Sequence, residues 1–130
     1  MHVNVPPSVA TVAAPLDHER LDVYRVAVEL DALVVRIARA AGRGHGWLCD
    51  QAQRASGSVV LNLAEAVGRQ GADRARCLRI SRGSALETDA ALELLVHRGA
   101  ASIELRVRAH ELLRRVVAML TRLHAAALRS

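Results

Sequence analysis

Arginine carries most of the chemistry that this sequence offers. Between positions 69 and 82 stand Arg69, Arg74, Arg76, Arg79 and Arg82, against the single carboxylate of Asp73. A guanidinium is always charged and holds five donors in a planar fork, which suits phosphates and carboxylates. Arg76, Arg79 and Arg82 recur every third residue and so fall close to one face of a helix. The next stretch is acidic, with Glu87, Asp89 and Glu93 uncompensated up to His97. After Ala101 a second basic set appears: Arg106, Arg108, Arg114, Arg115, Arg122 and Arg129, against Glu104 and Glu111. Two readings stand. These arginines could neutralise phosphates, giving salt-dependent binding that ignores base sequence. Alternatively they form a solvated face with ion pairs between the basic and acidic halves of neighbouring subunits.

A second group is polar and sits among apolar neighbours. Ser58, Asn62, Ser84 and Glu87 must find partners if they are buried, which points to a cross-helix network with Arg54 or Arg82. Glu65 belongs to the same cluster and is the carboxylate a hydrolase would use. Catalysis needs a nucleophile, a base and an orienting group, and no histidine lies at a matching spacing in either stretch. No catalytic residue is therefore assigned. His45 precedes Cys49 by four residues, but four ligands of zinc spacing do not exist, so no metal is expected. Cys49, near a helix start, reads as a small core or interface residue. Gly42-Arg43-Gly44-His45-Gly46 follows a helix and lacks a Lys-Ser/Thr ending, so it is no phosphate loop. No cofactor is expected.

Helices must position all of these groups. From Asp17 onward apolar residues recur at three- and four-residue steps, as in Val23, Val26/Ala27, Leu30, Leu33/Val34 and Ile37. Glycines at 42, 44 and 46, at 68 and 71, and at 99 break the pattern. The spacing predicts helices over about 19–41, 47–68, 72–97 and 102–127, an antiparallel up-down-up-down four-helix bundle over 17–130. Faces of Leu48, Ala52, Ala55, Val59, Leu63 and Ala66, and of Cys77/Leu78, Ser81, Ala85, Thr88, Leu92 and Leu95, are expected inside. The last helix has two stripes, Ile103, Val107, His110, Leu113, Val117, Leu120 and Ala127 beside Leu105, Leu112, Val116, Met119 and Leu123. That is wider than an isolated bundle requires, so either a second subunit covers the surplus or an alanine-rich surface inflates it. Gly83, inside the third helix, is expected to permit close helix approach.

Composition narrows the partners. The chain has 130 residues, 24 Ala, 18 Leu and 16 Val, and its 18 basic residues are all arginine, with net charge +5. The charge permits an acidic partner without proving one, and a high-GC genome alone would favour Arg over Lys. Tyr24 and Trp47 are the only aromatics outside histidine, too few for extensive base stacking, so backbone charge should carry any nucleic-acid binding. Two cysteines suit a reducing compartment. Residues 1–16, with Pro6, Pro7 and Pro15 and no arginine, lack the basic and unbroken apolar regions of a signal peptide and are expected to form a disordered leader. No apolar run is long enough to span a bilayer. A cytoplasmic location is expected.

The stretches LDVYRVAVEL, QAQRASGSVVLNLAEAVGRQ and CLRISRGSALETDAALELL together resemble one bacterial family. Arg54-Ala55, Ser58, Asn62, Ala64-Glu65 and Gly68-Arg69 on the second helix carry the likeness, with Leu78, Ile80, Arg82-Gly83-Ser84 and Glu87 on the third. It is the family named after open reading frames inserted in 23S rRNA genes, the intervening-sequence proteins. Ala66 stands where the family usually has glycine, Val67 where it often has an aromatic, and Arg76 and Ala41 replace two further aromatics. The resemblance implies a four-helix bundle assembling as a ring-shaped homopentamer. A related branch, the accessory variability determinant of diversity-generating retroelements, is a basic pentamer that binds nucleic acid and a reverse transcriptase. The expectation is a non-enzymatic accessory or scaffold protein whose partners are itself, RNA, DNA or an RNA–DNA hybrid, and a reverse transcriptase. The alternative is a structural or protein-interaction module with no nucleic-acid role.

Overall fold

The computed structural model describes residues 14–129, so most of the expected leader lies outside the described residues. A 3-10 turn, Asp17–Arg20, leads into four helices: α1, Asp22–Ala40; α2, Gly46–Val67; α3, Gly71–His97; and α4, Ile103–Arg129. Among the described residues there is no strand. Helix α1 starts later than apolar spacing alone suggests because the 3-10 turn takes the preceding residues. There the Glu19 carboxylate accepts a hydrogen bond from the Leu16 N–H at 3.0 Å.

Each helix touches two neighbours, α1 with α2, α2 with α3, α3 with α4 and α4 with α1, forming a four-helix bundle. The core is aliphatic and small. Val23, Val26, Ala27, Leu30, Leu33, Val34 and Ile37 of α1 are buried, as are Leu48, Ala52, Val59 and Leu63 of α2. Four hydroxyl residues are buried with them: Ser56, Ser81, Ser84 and Thr88. None lacks a partner. Ser56 donates to the Asp31 carboxylate at 2.7 Å, tying α2 to α1. Ser81 donates to the Val59 carbonyl at 2.8 Å, which requires the α2 and α3 backbones to lie close together. Alanine, serine and cysteine along this seam leave room for that approach.

Helix ends follow from local chemistry. The Ser102 hydroxyl accepts the Leu105 N–H at 3.2 Å and caps the start of α4. At the end of α3, Gly99 adopts φ +73°. The Ala100 N–H then reaches the Leu95 carbonyl at 2.8 Å, and the Gly99 N–H reaches Val96 at 2.9 Å. This pair of bonds is the Schellman arrangement, and it turns the chain sharply into α4.

One expectation needs correction, and the wide α4 face resolves. Gly83 does not sit at a close helix contact: it is exposed, and a Cβ added there would meet nothing within 4 Å. The close approach belongs to Ser81, two residues earlier and about 200° around the helix. On α4 the first stripe splits: Ile103 is 56% exposed, Val107 61%, and His110 is also exposed, whereas Leu113, Leu120 and Ala127 of the same stripe are buried. Leu112, Leu113, Val116 and Leu120, drawn from both stripes, fill the available core arc. One bundle cannot bury apolar residues spread so far around a single helix.

The two glycines should respond oppositely in urea denaturation. Gly83→Ala should raise stability by up to about 1 kcal/mol by helix propensity. Gly99→Ala should lower it by about 1–2 kcal/mol, because its left-handed backbone strains a Cβ.

Candidate nucleic-acid interface

The arginines fall into two physical classes. Some are consumed by the fold. Arg74, half-buried, donates from Nε to the carbonyls of Ala66 at 3.1 Å and Arg69 at 2.7 Å, and from Nη2 to Val67 at 3.1 Å. It thus closes the C-terminal end of α2, where a cation also meets the negative end of the helix dipole. Arg106, its side chain only 15% exposed, bridges α4 to α3 through Asp89 at 2.8 Å and Glu93 at 3.8 Å. Arg82 donates to the Thr121 hydroxyl at 2.9 Å, a second α3–α4 tie. Arg69 pairs with Glu65 at 2.7 Å one turn away, and Arg114 with Glu111 at 3.1 Å.

The others are free. Arg76 and Arg79 are exposed on α3, and Arg108, Arg115, Arg122 and Arg129 are exposed on α4, none with an ion pair among the described residues. The α4 set has a regular geometry. Seven residues are two helical turns less about 20°, so the four guanidiniums form a nearly straight row with a step of about 10.5 Å. Beside the row a groove of about 520 Å³ runs between α4 and α1. It is lined by Arg114, Arg115 and Arg122 from α4 and by Arg25, Asp22 and Glu29 from α1, with Val26, Ala118 and Met119 forming the floor. Arg25 holds Asp22 at a loose 3.6 Å, and both are largely exposed.

The basic residues of positions 69–82 therefore do not converge. Arg69, Arg74 and Arg82 point to three different structural partners, and only Arg76 and Arg79 remain open. Arg25 and Arg122 join Arg114 and Arg115 in the groove, an arrangement that windowed charge counts miss. The seven-residue recurrence of 108, 115, 122 and 129 was the signal that could have found the row.

The polar cluster also divides. Ser58 and Ser84 share a hydrogen bond of 2.8 Å between α2 and α3, and the Asn62 amide donates to the Ser58 hydroxyl and carbonyl, each at 3.0 Å. Glu87 instead accepts from the Gln51 amide, and Glu65 takes Arg69. Arg54 is exposed and outside the network. Arg82 cannot join Ser84 because two residues separate them by about 200° on the helix.

Cys49 is buried, and its thiol donates to the Ala38 carbonyl at 3.6 Å. Burial, and secondarily the charge of Asp50, push this thiol above its ordinary pKa, so the thiolate is disfavoured. Among the described residues no three His, Cys, Asp or Glu side chains gather where a metal ion could be held. None of the helices is long and apolar enough to cross a membrane.

Residues 19–122 match the family described as 23S rRNA-intervening sequence protein. The chain belongs to this family. The match spans all of α1–α3 and most of α4, including Arg108, Arg115 and Arg122 of the row. No curated protein matches the chain. The polar pairs between α2 and α3 lie within the matched residues.

The two arginine classes should separate experimentally. Arg106→Ala should cost about 2 kcal/mol in chemical denaturation, since it strips a charge-assisted bond from half-buried Asp89. Arg115→Ala should stay within about 0.5 kcal/mol of the parent, as surface substitutions do.

Proposed function

We propose that this chain is a non-enzymatic, cytoplasmic nucleic-acid-binding protein that holds phosphates along the outer row of α4. The observation that carries the reading is the line of four exposed guanidiniums, Arg108, Arg115, Arg122 and Arg129, none with an ion pair among the described residues, beside the α1–α4 groove that Arg115 and Arg122 also line. Phosphates repeat along any strand, so a straight row of fixed positive charge meets several of them without reading bases. The family's description ties it to 23S rRNA and supports an RNA-related role, with DNA and RNA–DNA hybrids as competitors for the same charge.

The reading includes helices in antiparallel, up-down-up-down order. Cross-helix pairs support it: Asp31 with Ser56, Ser81 with Val59, Arg74 with Ala66, and Arg106 with Asp89 each join positions that mirror about a turn. It also includes self-association, with a homopentameric ring as the assembly and a reverse transcriptase as the protein partner that the family resemblance suggests. Leu86 and Leu94 on α3 and Ile103 and Val107 on α4 are about half exposed or more along one seam, a surface that a second copy would cover.

Fluorescence anisotropy with structured RNA, duplex DNA and an RNA–DNA hybrid at two salt concentrations tests binding. Affinity at low salt that falls steeply as salt rises is expected. Absence of binding at low salt overturns the reading, and salt-independent binding overturns its phosphate mechanism. Sedimentation equilibrium tests assembly. The parent should sediment as a multiple of 14.0 kDa, five-fold for the ring, and Val107→Glu with Leu94→Glu should shift it toward a single chain.

A further inference from the structure

At the end of the bundle where α1 passes to α2 and α3 passes to α4, the two loops meet through Trp47 and Arg98. The Arg98 guanidinium carbon lies 5.1 Å from the centre of the Trp47 ring, a cation–π contact. Trp47 is nevertheless 60% exposed, so much of its surface is open to solvent. An indole that served the fold alone would be expected to turn inward, where a large aromatic stabilises most. Here the ring is held outside by the first turn of α2 and braced by a cation. Its surroundings are basic: exposed Arg39 and Arg43 lie just before it in the chain, and His97 stands beside Arg98. Residues 41–47 contain no carboxylate, nor do residues 95–102. Asp50 lies three residues after Trp47 on α2, and Glu104 is the second residue of α4.

We propose that Trp47, braced by Arg98, is a stacking platform for an unpaired nucleobase, so that the preferred ligand is a nucleic acid with a single-stranded segment. Every base has a π-face, and stacking on an exposed aromatic next to cations binds single strands with little regard to sequence. Arg98 covers one side of the indole and a base takes open ring surface, while Arg43 and Arg39 meet the adjoining phosphates. A blunt duplex keeps its bases stacked on each other and offers the platform no internal base. The α4 row begins near this end, since α4 starts at the α3–α4 loop. To reach the indole, a strand on the row would cross this end of the bundle, because α2 packs against α1 and α3. This inference rests on the phosphate-binding reading of α4 and adds to it the class of nucleic acid selected.

Trp47 is the sole tryptophan, so intrinsic fluorescence reports on the platform directly. The full-length protein is titrated at low salt with a uridine oligonucleotide and with a blunt RNA duplex, following tryptophan emission and the anisotropy of labelled probes in parallel. The oligonucleotide should quench Trp47 and the duplex should leave it nearly unchanged. Trp47→Leu should weaken oligonucleotide binding about fivefold or more, as alanine substitutions at stacking aromatics do, and leave duplex affinity unaltered. Trp47→Phe should recover much of the loss. If both probes bind with unmoved emission and Trp47→Leu matches the parent, the platform is overturned and the phosphate row stands. If Arg115→Ala with Arg122→Ala leaves binding intact while Trp47→Leu abolishes it, the row is overturned and the platform stands. If neither probe binds, both are overturned.

Discussion

The hydrogen bond from the Ser81 hydroxyl to the Val59 carbonyl fixes the constraint on which the bundle is built. A side chain that short reaches the backbone of another helix only when the two helices pack closely, and it does so at 2.8 Å. Small residues on both sides permit this: Ala52, Ala55 and Ala66 on α2, and Ala75, Cys77, Ser84 and Ala85 on α3 are all buried. Close packing leaves little room for aromatic side chains in the seam, which accounts for a core of Ala, Leu and Val. It also sets the register in which Ser58 meets Ser84 and Arg74 meets the end of α2.

That register decides which arginines are available. Where a guanidinium falls at an α2–α3 or α3–α4 boundary, it becomes a structural cation: Arg74 over open carbonyls, Arg106 between two carboxylates, Arg82 on a threonine. Arginines pointing away from both boundaries keep their charge for solvent or for a ligand. The net charge of +5 therefore understates the contrast between an internally neutralised α3–α4 seam and the open row on α4.

Much of the fold was legible in the sequence. Helical spacing marked the buried faces of α1, α2 and α3. Helix α4 was harder, because apolar residues extend farther round it than one core accepts, and spacing alone cannot say which members of its two stripes are buried. The site was only partly legible. Arg74 and Arg106 read as surface charge because their partners lie across turns and helix boundaries that charge windows do not see. The Arg82–Ser84 separation and the seven-residue step of the α4 arginines were accessible to helical geometry, and grouping residues by local charge obscured both. Trp47 looked too solitary for a stacking role; its exposure and its pairing with Arg98 depend on two distant loops meeting.

The central claim is that the α4 row, and not arginine content in general, meets phosphates. The most direct measurement is the slope of log affinity against log salt for duplex binding, compared between the parent and a variant with Arg108, Arg115, Arg122 and Arg129 replaced by Gln. Each lost phosphate contact should reduce the slope by about 1, so a reduction approaching four is predicted. An unchanged slope, with the variant folded as the parent, would contradict the account.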